Sequence, residues 1–171
     1  MEKKRMNDKG FSLVELIIVI AIMAILIGLL APQYLKFVER SKKSADRDTV
    51  DQIIRTVQLD YADPESTHNV DGAKITLTTS GATIVEGSGT TGTTGTGLEA
   101  VLYAFGINTS DMKLKSSKWK VAGTTTPVTD VVITFSYAGE SVTATVTANA
   151  TTSAPVDDSG TSITGKATTT P

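Results

Sequence analysis

The chain has 171 residues, a formal net charge of −2 and no cysteine. This length fits one modest globular domain together with a membrane element. The lack of cysteine excludes disulfide bonds, thiolate metal sites and cysteine nucleophiles. With His68 as the single histidine, a His-based triad or a multi-histidine metal site has almost no raw material. The charge balance implies no general attraction to nucleic acid.

The N-terminus combines a basic leader with a long apolar run. Residues 1–10 hold four basic side chains, Gly10-Phe11-Ser12-Leu13-Val14-Glu15 follows, and the next charge is Lys36. A helix from 11 to 31 would be about 31 Å long, which is one hydrocarbon thickness. An ordinary signal peptide is the alternative, but the run is longer than the roughly 7–15 residues of such peptides and no small-x-small cleavage site follows it. We therefore expect a membrane span that a cut at Gly10 would leave in the mature chain.

The segment Gly10-Phe11-Ser12-Leu13-Val14-Glu15 resembles the class III signal of type IV pilins and pseudopilins. In that family a membrane aspartyl peptidase cuts after the glycine, which implies cleavage between Gly10 and Phe11 and N-methylation of Phe11. The family's glutamate, placed fifth after the cut, corresponds to Glu15. The resemblance covers roughly residues 1 to 61. It implies an α+β fold in which a long helix packs on a small antiparallel sheet, the pilin lollipop.

Glu15 is unusual because a carboxylate near a membrane span costs on the order of a few kcal/mol unless something pairs with it. Cleavage would create a cationic amine on Phe11, about 6 Å along the helix. In the resembling family the glutamate meets the N-terminus of a neighbouring subunit, so we expect Phe11 and Glu15 to set the register of assembly. The alternatives are a carboxylate at headgroup level and a first-turn acid favoured by the helix dipole.

Gly28 and Pro32 predict a weak point in the same helix. Proline lacks an amide donor, and its ring clashes with the carbonyl four residues earlier, here that of Gly28. In the resembling filaments the segment before such a proline loses helicity on assembly. A static kink in a membrane helix is the alternative.

From residue 33 to residue 63 the pattern becomes amphipathic. Apolar residues recur at three- and four-residue spacing at Tyr34, Val38, Ala45, Val50, Ile53, Ile54, Val57 and Tyr61. The charged residues between Lys36 and Arg55 are expected to form a solvated face. Asp63-Pro64 ends the helix. One helix of about fifty residues results, and its second half needs a sheet to cover its apolar face.

Residues 64–150 are expected to form a β-sheet head. A short hairpin turns at Ser80-Gly81 with Ile84 opposite Leu77, and a short helix at 98–105 is capped by Gly106. The strongest pattern is a second hairpin with Gly139-Glu140 as a type II′ turn. It predicts the pairs Tyr137 with Val142, Phe135 with Ala144, Ile133 with Val146, and Val131 with Ala148.

Between these hairpins, lysines alternate with Met112, Leu114, Trp119 and Val121. The two runs differ in parity, so a break near Ser116-Ser117 is required between lysine-faced strands. Lysines around Trp119 could bind a polyanion such as DNA or an acidic glycan. We favour the alternative of a charged outer face over a buried tryptophan.

Several weaker motifs give less specific predictions. The Gly/Thr-rich stretch 86–97 lacks the lysine of a phosphate-binding loop and is interpreted as a flexible surface loop. Asn108 and Asn149 begin N-x-[ST] sequons, which are common by chance. Asp157 and Asp158 resemble part of a calcium loop, but two adjacent acids are too few for a cage of roughly 6–8 oxygens. The tail 151–171 either laps over the head or is partly disordered.

These features predict a structural protein without enzymatic activity or cofactor: the precursor of a type IV pilus subunit. We expect a leader at 1–10, a transmembrane and filament-core helix at 11–32, an amphipathic half at 33–63, a head at 64–150 and a tail at 151–171. The expected partners are other copies in a helical filament, a prepilin peptidase, the pilus assembly machinery and the membrane.

The precursor would be single-pass in the cytoplasmic membrane with its N-terminus inside, and the assembled pilus would be extracellular. Adhesion, twitching motility, aggregation and DNA uptake are implied by the resemblance. The alternatives are a type II secretion or competence pseudopilin and, from another class, a monomeric membrane-anchored extracellular binding domain.

Overall fold

The computed structural model describes residues 11–87, 97–138, 141–149 and 153–163. The chain divides into two compact units, Met1–Val38 and Glu39–Pro171. Its elements are, in chain order, α1 (Leu13–Tyr61), β1 (Lys74–Thr78), β2 (Ala82–Val85), α2 (Leu98–Ala104), a 3-10 turn (Thr109–Asp111), β3 (Lys120–Val121), β4 (Asp130–Ala138), β5 (Ser141–Ala148) and β6 (Pro155–Val156). The expected α+β class is confirmed.

Helix α1 contains 49 residues, close to the predicted length. It ends two residues before Asp63, since a residue that precedes proline avoids helical backbone. Helical backbone continues through Pro32, and the predicted kink stays a prediction. In the second unit, Val50, Ile53 and Val57 of the predicted apolar face are buried.

A four-stranded antiparallel sheet, in the order β2-β1-β4-β5, covers this apolar face. Strands β4 and β5 pair in the predicted register, from Tyr137 opposite Val142 to Val131 opposite Ala148. A slip by one residue would turn Phe135 and Ile133 from the core to solvent, and this penalty holds the register. The turn predicted at 139–140 lies outside the described residues.

The hairpin of β1 and β2 forms, but its predicted register is wrong. Ile84 pairs with Ile75, and Leu77 pairs with Ala82. The register places Thr78 opposite Gly81 and makes Thr79-Ser80 the turn, one residue earlier than predicted. The Thr78 amide donates to the Gly81 carbonyl, and the Thr78 hydroxyl oxygen accepts the Gly81 amide. The two-residue shift leaves Ile84 on the core side, because side chains alternate with a period of two.

The segment between the hairpins keeps the predicted alternation of burial without the predicted strands. Met112, Leu114 and Trp119 are buried, and the lysines at 113, 115 and 118 are exposed. Regular strand structure in this segment is limited to β3. The chain bends on both sides of Ser116, at the predicted break, where the Ser116 amide donates to Asp46 of α1.

Helix α2 ends as predicted at Gly106. This glycine has φ 73°, a left-handed conformation that costs residues with a Cβ. The Ile107 amide donates to the Leu102 carbonyl at 2.8 Å, which satisfies a carbonyl of the last turn.

Part of the predicted tail belongs to the second unit. Strand β6 pairs with β3, with Val156 opposite Lys120 and Pro155 opposite Val121. Ile163 is fully buried. The segment 153–163 therefore laps over the head, one of the two alternatives left open by the sequence.

Candidate functional site

The predicted processing and assembly residues belong to the start of α1. All described side chains from 11 to 37 are exposed, and Phe11 is 93% exposed. By length and composition, α1 contains a stretch able to cross a membrane. A helix that is apolar on every side is stable only when another apolar phase covers it. This segment therefore requires lipid or other protein chains around it.

Glu15 also caps the N-terminus of α1. The Ser12 amide donates to Glu15 Oε2 at 2.9 Å, and the Leu16 amide donates to the Ser12 carbonyl at 3.2 Å. This contact is one half of a capping box, in which the third helical residue reaches back to the amide of the cap residue. Sequence reasoning missed this role, although the Ser-x-x-Glu pattern before an apolar run signals it.

The other predicted residues of this site are only partly described. Gly10 and the leader lie outside the described residues. A Cβ added at Gly28 would meet nothing within 4 Å, so no contact within the chain requires glycine there. Pro32 lies inside α1. Cleavage after Gly10, the register role of Phe11 and Glu15, and bending at Gly28 and Pro32 stay predictions.

A second site, which the sequence did not predict, lies where α1 meets residues 115–119. Asp46 is 1% exposed, and its carboxylate accepts the amides of Lys115 at 2.6 Å and Ser116 at 3.0 Å and the indole N–H of Trp119 at 2.8 Å. These donors offset the cost of burying the charge. The expected solvated face is thus wrong at Asp46 and at Lys43, which is also buried, because the 115–119 segment and Trp119 cover this part of α1.

Lys43 and Arg47 also hold residues 157–162 against α1. Arg47 pairs with Asp157, and its Nε donates to the Ser162 carbonyl at 3.3 Å. Asp158 lies 3.5 Å from Lys43 Nζ and 2.8 Å from Lys120 Nζ. We call these contacts the C-terminal clasp. The Lys43 ammonium and the Arg47 guanidinium also lie 5.5 Å and 5.3 Å from the centroid of the Trp119 ring, within the range of cation–π attraction.

Hydrogen bonds and nearby cations lower the pKa of both aspartates of the clasp. Burial alone would raise the pKa of Asp157, but hydrogen bonds from Ser159, Thr161 and Arg47 outweigh it and hold that pKa well below its usual range. The hydrogen bond from Lys120, together with the charges of Lys43 and Lys120, lowers the pKa of Asp158. A calcium ion at this pair would have to compete with these cations. Within the described parts of the chain, no group of three or more His, Asp or Glu side chains is placed to hold a metal ion.

His68 forms a polar cluster just after α1. Its Nδ1 lies 2.8 Å from Asp60 Oδ1 and 3.3 Å from Ser66 Oγ, and the Ser66 hydroxyl donates to Asp60 Oδ2 at 2.8 Å. A Ser-His-Asp relay needs the carboxylate and the hydroxyl on opposite ring nitrogens. Here both contact the same nitrogen, so the cluster holds the chain after α1 and does not activate the serine.

The remaining motifs are placed as follows. Trp119 is buried and the lysines at 113, 115 and 118 are exposed, as in the alternative that we favoured over a polyanion site, but the cations that lie over its ring are Lys43 and Arg47. The side-chain oxygen Oδ1 of Asn149 accepts the Thr129 amide at 2.7 Å, and its side-chain nitrogen Nδ2 donates to the Pro127 carbonyl. Asn149 is therefore a structural residue at the end of β5. Most of the Gly/Thr-rich loop, residues 88–96, lies outside the described residues.

Comparisons with known proteins agree with the motif at the start of the chain. Residues 5–31 match the family described as the Prokaryotic N-terminal methylation motif. Prepilin peptidase-dependent protein A of Clostridium perfringens (strain 13 / Type A) is 35% identical over 75 residues, 44% of this chain and 54% of the relative. The chain thus spans about half the length of this curated relative. No solved structure matches the chain.

The match at 5–31 includes Gly10, Phe11 and Glu15. It lies on a long helix whose first part is exposed and apolar and whose second part packs on an antiparallel sheet. The methylation motif, the similarity to a prepilin peptidase-dependent protein and this α+β fold agree with the pilin or pseudopilin type predicted from the sequence.

Proposed function

We propose that this chain is the precursor of a type IV pilus subunit and polymerises through α1 into a surface filament. The observation that carries the proposal is the exposed apolar surface from 11 to 37, which contains the charge of Glu15 near its start. Lipid would cover the apolar side chains but supplies no cation deep in its apolar core. Parallel neighbouring helices shifted by about 6 Å would place the Phe11 amine of one copy beside Glu15 of the next.

In this proposal a prepilin peptidase cuts between Gly10 and Phe11, and Phe11 is N-methylated. The name of the Clostridium perfringens relative supports this step, since it says that the relative depends on such a peptidase. Before assembly α1 holds the chain in the cytoplasmic membrane. After assembly the second units face outwards on an extracellular filament that serves adhesion, motility or aggregation.

Mass spectrometry of the mature chain tests the processing step. The expected N-terminus is an N-methylated Phe11. A mature chain that begins at Met1, or one that begins near Gln33 and so lacks the apolar helix, would contradict the proposal.

Two variants separate the charge of Glu15 from its capping role. Glu15→Gln can still accept the Ser12 amide but carries no charge, whereas Glu15→Ala loses both functions. Both variants should enter the membrane and be processed, and both should form at least about tenfold fewer filaments, because each lacks the partner for the Phe11 amine. Normal filaments from Glu15→Gln, with a loss only in Glu15→Ala, would show that Glu15 acts as a helix cap and would refute its register role.

Electron microscopy of filaments sheared from cells distinguishes the pilus from its alternatives. A type IV pilin should be the main component of long surface filaments. Chains found only in the membrane, with no filament under any assembly condition, would support a monomeric anchored domain instead.

A further inference from the structure

Basic side chains collect at one end of the second unit. Lys113, Lys115 and Lys118 are exposed on the segment that crosses α1, and Lys42 is exposed on α1 beside the crossing. The crossing is held by the bond from the Lys115 amide to Asp46. Among the described residues, none of these lysines forms an ion pair. We call the lysines at 42, 113, 115 and 118 the basic cluster.

Two acids of α1 lie near the basic cluster, and both are engaged by the chain itself, while the exposed Asp111 lies two residues before Lys113. Asp46 is buried under its backbone and indole donors. Glu39 accepts the Ser116 hydroxyl. The lysine ammonium groups therefore face solvent without an acidic partner among the described residues.

Acidic side chains collect after the end of α1. Residues 60–71 contain four acids and neither lysine nor arginine. Asp63, Glu65 and Asp71 are exposed, and we call them the acidic cluster. Asp60, the fourth acid, is paired with His68. Within the described ranges, no ion pair involves a member of the acidic cluster.

Two independent distances place the clusters at opposite ends of the second unit. Along α1, the crossing at Asp46 lies 15 residues before the helix end at Tyr61, or about 23 Å at the rise of an α-helix. Along the sheet, the Leu114 amide donates to the carbonyl of Thr78, the residue opposite Asp130 at the start of β4.

At the other end of the same strand, Asp71 accepts the Tyr137 amide at 3.0 Å. Seven residues of β4 separate Asp130 from Tyr137, which is again about 23 Å. The helix and the sheet thus give the same separation between the basic cluster and the acidic cluster.

We propose that the basic cluster of one copy binds the acidic cluster of the next copy along the filament. This inference rests on the proposed function, since it needs copies whose α1 helices run parallel. A translation of about 20–30 Å along α1 brings the two clusters together. Parallel neighbours without an axial offset would bring like charges together, so among parallel copies the clusters favour the offset arrangement. Antiparallel neighbours would also pair opposite charges, so the clusters do not select the orientation, which the parallel α1 helices of the proposed filament provide. Each exposed ion pair is weak and is screened by salt, so the contact depends on several pairs acting together.

The cysteine-free sequence allows a direct test by cross-linking. The full-length chain carries Lys115→Cys together with Glu65→Cys, and filaments are oxidised on the cells. Within one copy the two positions are about 20 Å or more apart, far beyond the roughly 7 Å that a disulfide allows between Cα atoms. A non-reducing gel should show a ladder of multimers. Each single-cysteine variant should give at most dimers, and Glu65→Cys with Glu99→Cys on α2 is the matched control pair. A ladder from the control pair as strong as that from the test pair, or no ladder from the test pair, overturns the proposal.

Charge reversal supplies the second test. Lys113→Glu with Lys118→Glu should lower the filament yield at least about tenfold, because like charges then face each other. Adding Glu65→Lys and Thr67→Lys to the same chain, the second at an exposed position two residues after Glu65, should restore most of that yield. Normal yield from the first variant, or a loss that the second pair does not restore, overturns the proposal.

Two further outcomes are distinguishable in the same experiment. If the lysine reversals release the chain from membranes, the basic cluster binds anionic lipid and the proposal fails. If the unaltered chain forms no filament with its assembly machinery present, the proposed function is itself wrong.

Discussion

Replacing Asp46 by alanine should unfold the contact between α1 and residues 115–119. The variant removes an acceptor shared by the amides of Lys115 and Ser116 and by the indole of Trp119. The Ser116 amide and the Trp119 indole are buried at this contact, so water cannot readily replace the carboxylate. The Lys115 amide is only partly buried and can bind water instead.

The expected loss of stability follows from the number of buried donors. Each buried donor left without an acceptor costs about 1–3 kcal/mol. With two such donors and the loss of a charge-assisted network, we expect Asp46→Ala to lower the free energy of unfolding by about 3–5 kcal/mol. This is a large part of the roughly 5–15 kcal/mol that stabilises a typical domain.

Urea titration of the purified full-length chain in mild detergent measures this loss. Trp119 is the single tryptophan, so its fluorescence reports the contact, and circular dichroism at the helical wavelengths serves as a second probe. Asp48→Ala is the matched control, since Asp48 is an exposed acid on the same helix; it should change the free energy of unfolding by less than about 0.5 kcal/mol. A loss below about 1 kcal/mol in Asp46→Ala, or equal losses in both variants, would refute the role of the network.

Three further predictions concern the same unit and the same titration. The pKa of Asp157 is depressed in the folded chain. The stability that Asp157 contributes is therefore complete above the usual aspartate pKa of about 4 and is lost as the pH falls through the folded-state pKa. Asp157→Asn should remove this acid-dependent part of the urea midpoint. Ile163→Ala should cost about 2–5 kcal/mol, because Ile163 is fully buried. Gly106→Ala should cost about 1–2 kcal/mol, since its φ is 73°, whereas Gly81→Ala, where a Cβ meets nothing within 4 Å, should be nearly neutral.

Each of these predictions has a contrary result. If the urea midpoint of Asp157→Asn falls with pH as steeply as that of the unaltered chain, the clasp does not cause the acid sensitivity. If Ile163→Ala keeps full stability, residues 153–163 do not contribute to the core. Equal losses of stability in Gly106→Ala and Gly81→Ala would show that the left-handed backbone at Gly106 does not cause the loss there.

Features that depend on neighbours in sequence were predictable. The end of α1 before Asp63-Pro64, the cap of α2 at Gly106 and the register of β4 with β5 all match the structure. The physical reason is that proline, glycine and alternating apolar residues act within a few positions along the chain. The β1–β2 register failed within this same class, because hydrogen bonds between Thr78 and Gly81 place the turn one residue earlier, at Thr79-Ser80.

The methylation motif and its span were likewise determined by the sequence alone, since a cleavage motif and an apolar run are linear features. Only the tertiary structure decided which charges on α1 are buried. Asp46 meets Trp119 across 73 positions of sequence, and Arg47 meets Asp157 across 110. A helical pattern places a charged side chain on a face but does not show which distant segment will cover it. Burial at Lys43 and Asp46, and the separation of the basic and acidic clusters, therefore depend on the packing of residues 115–119, the sheet and residues 153–163 against the helix.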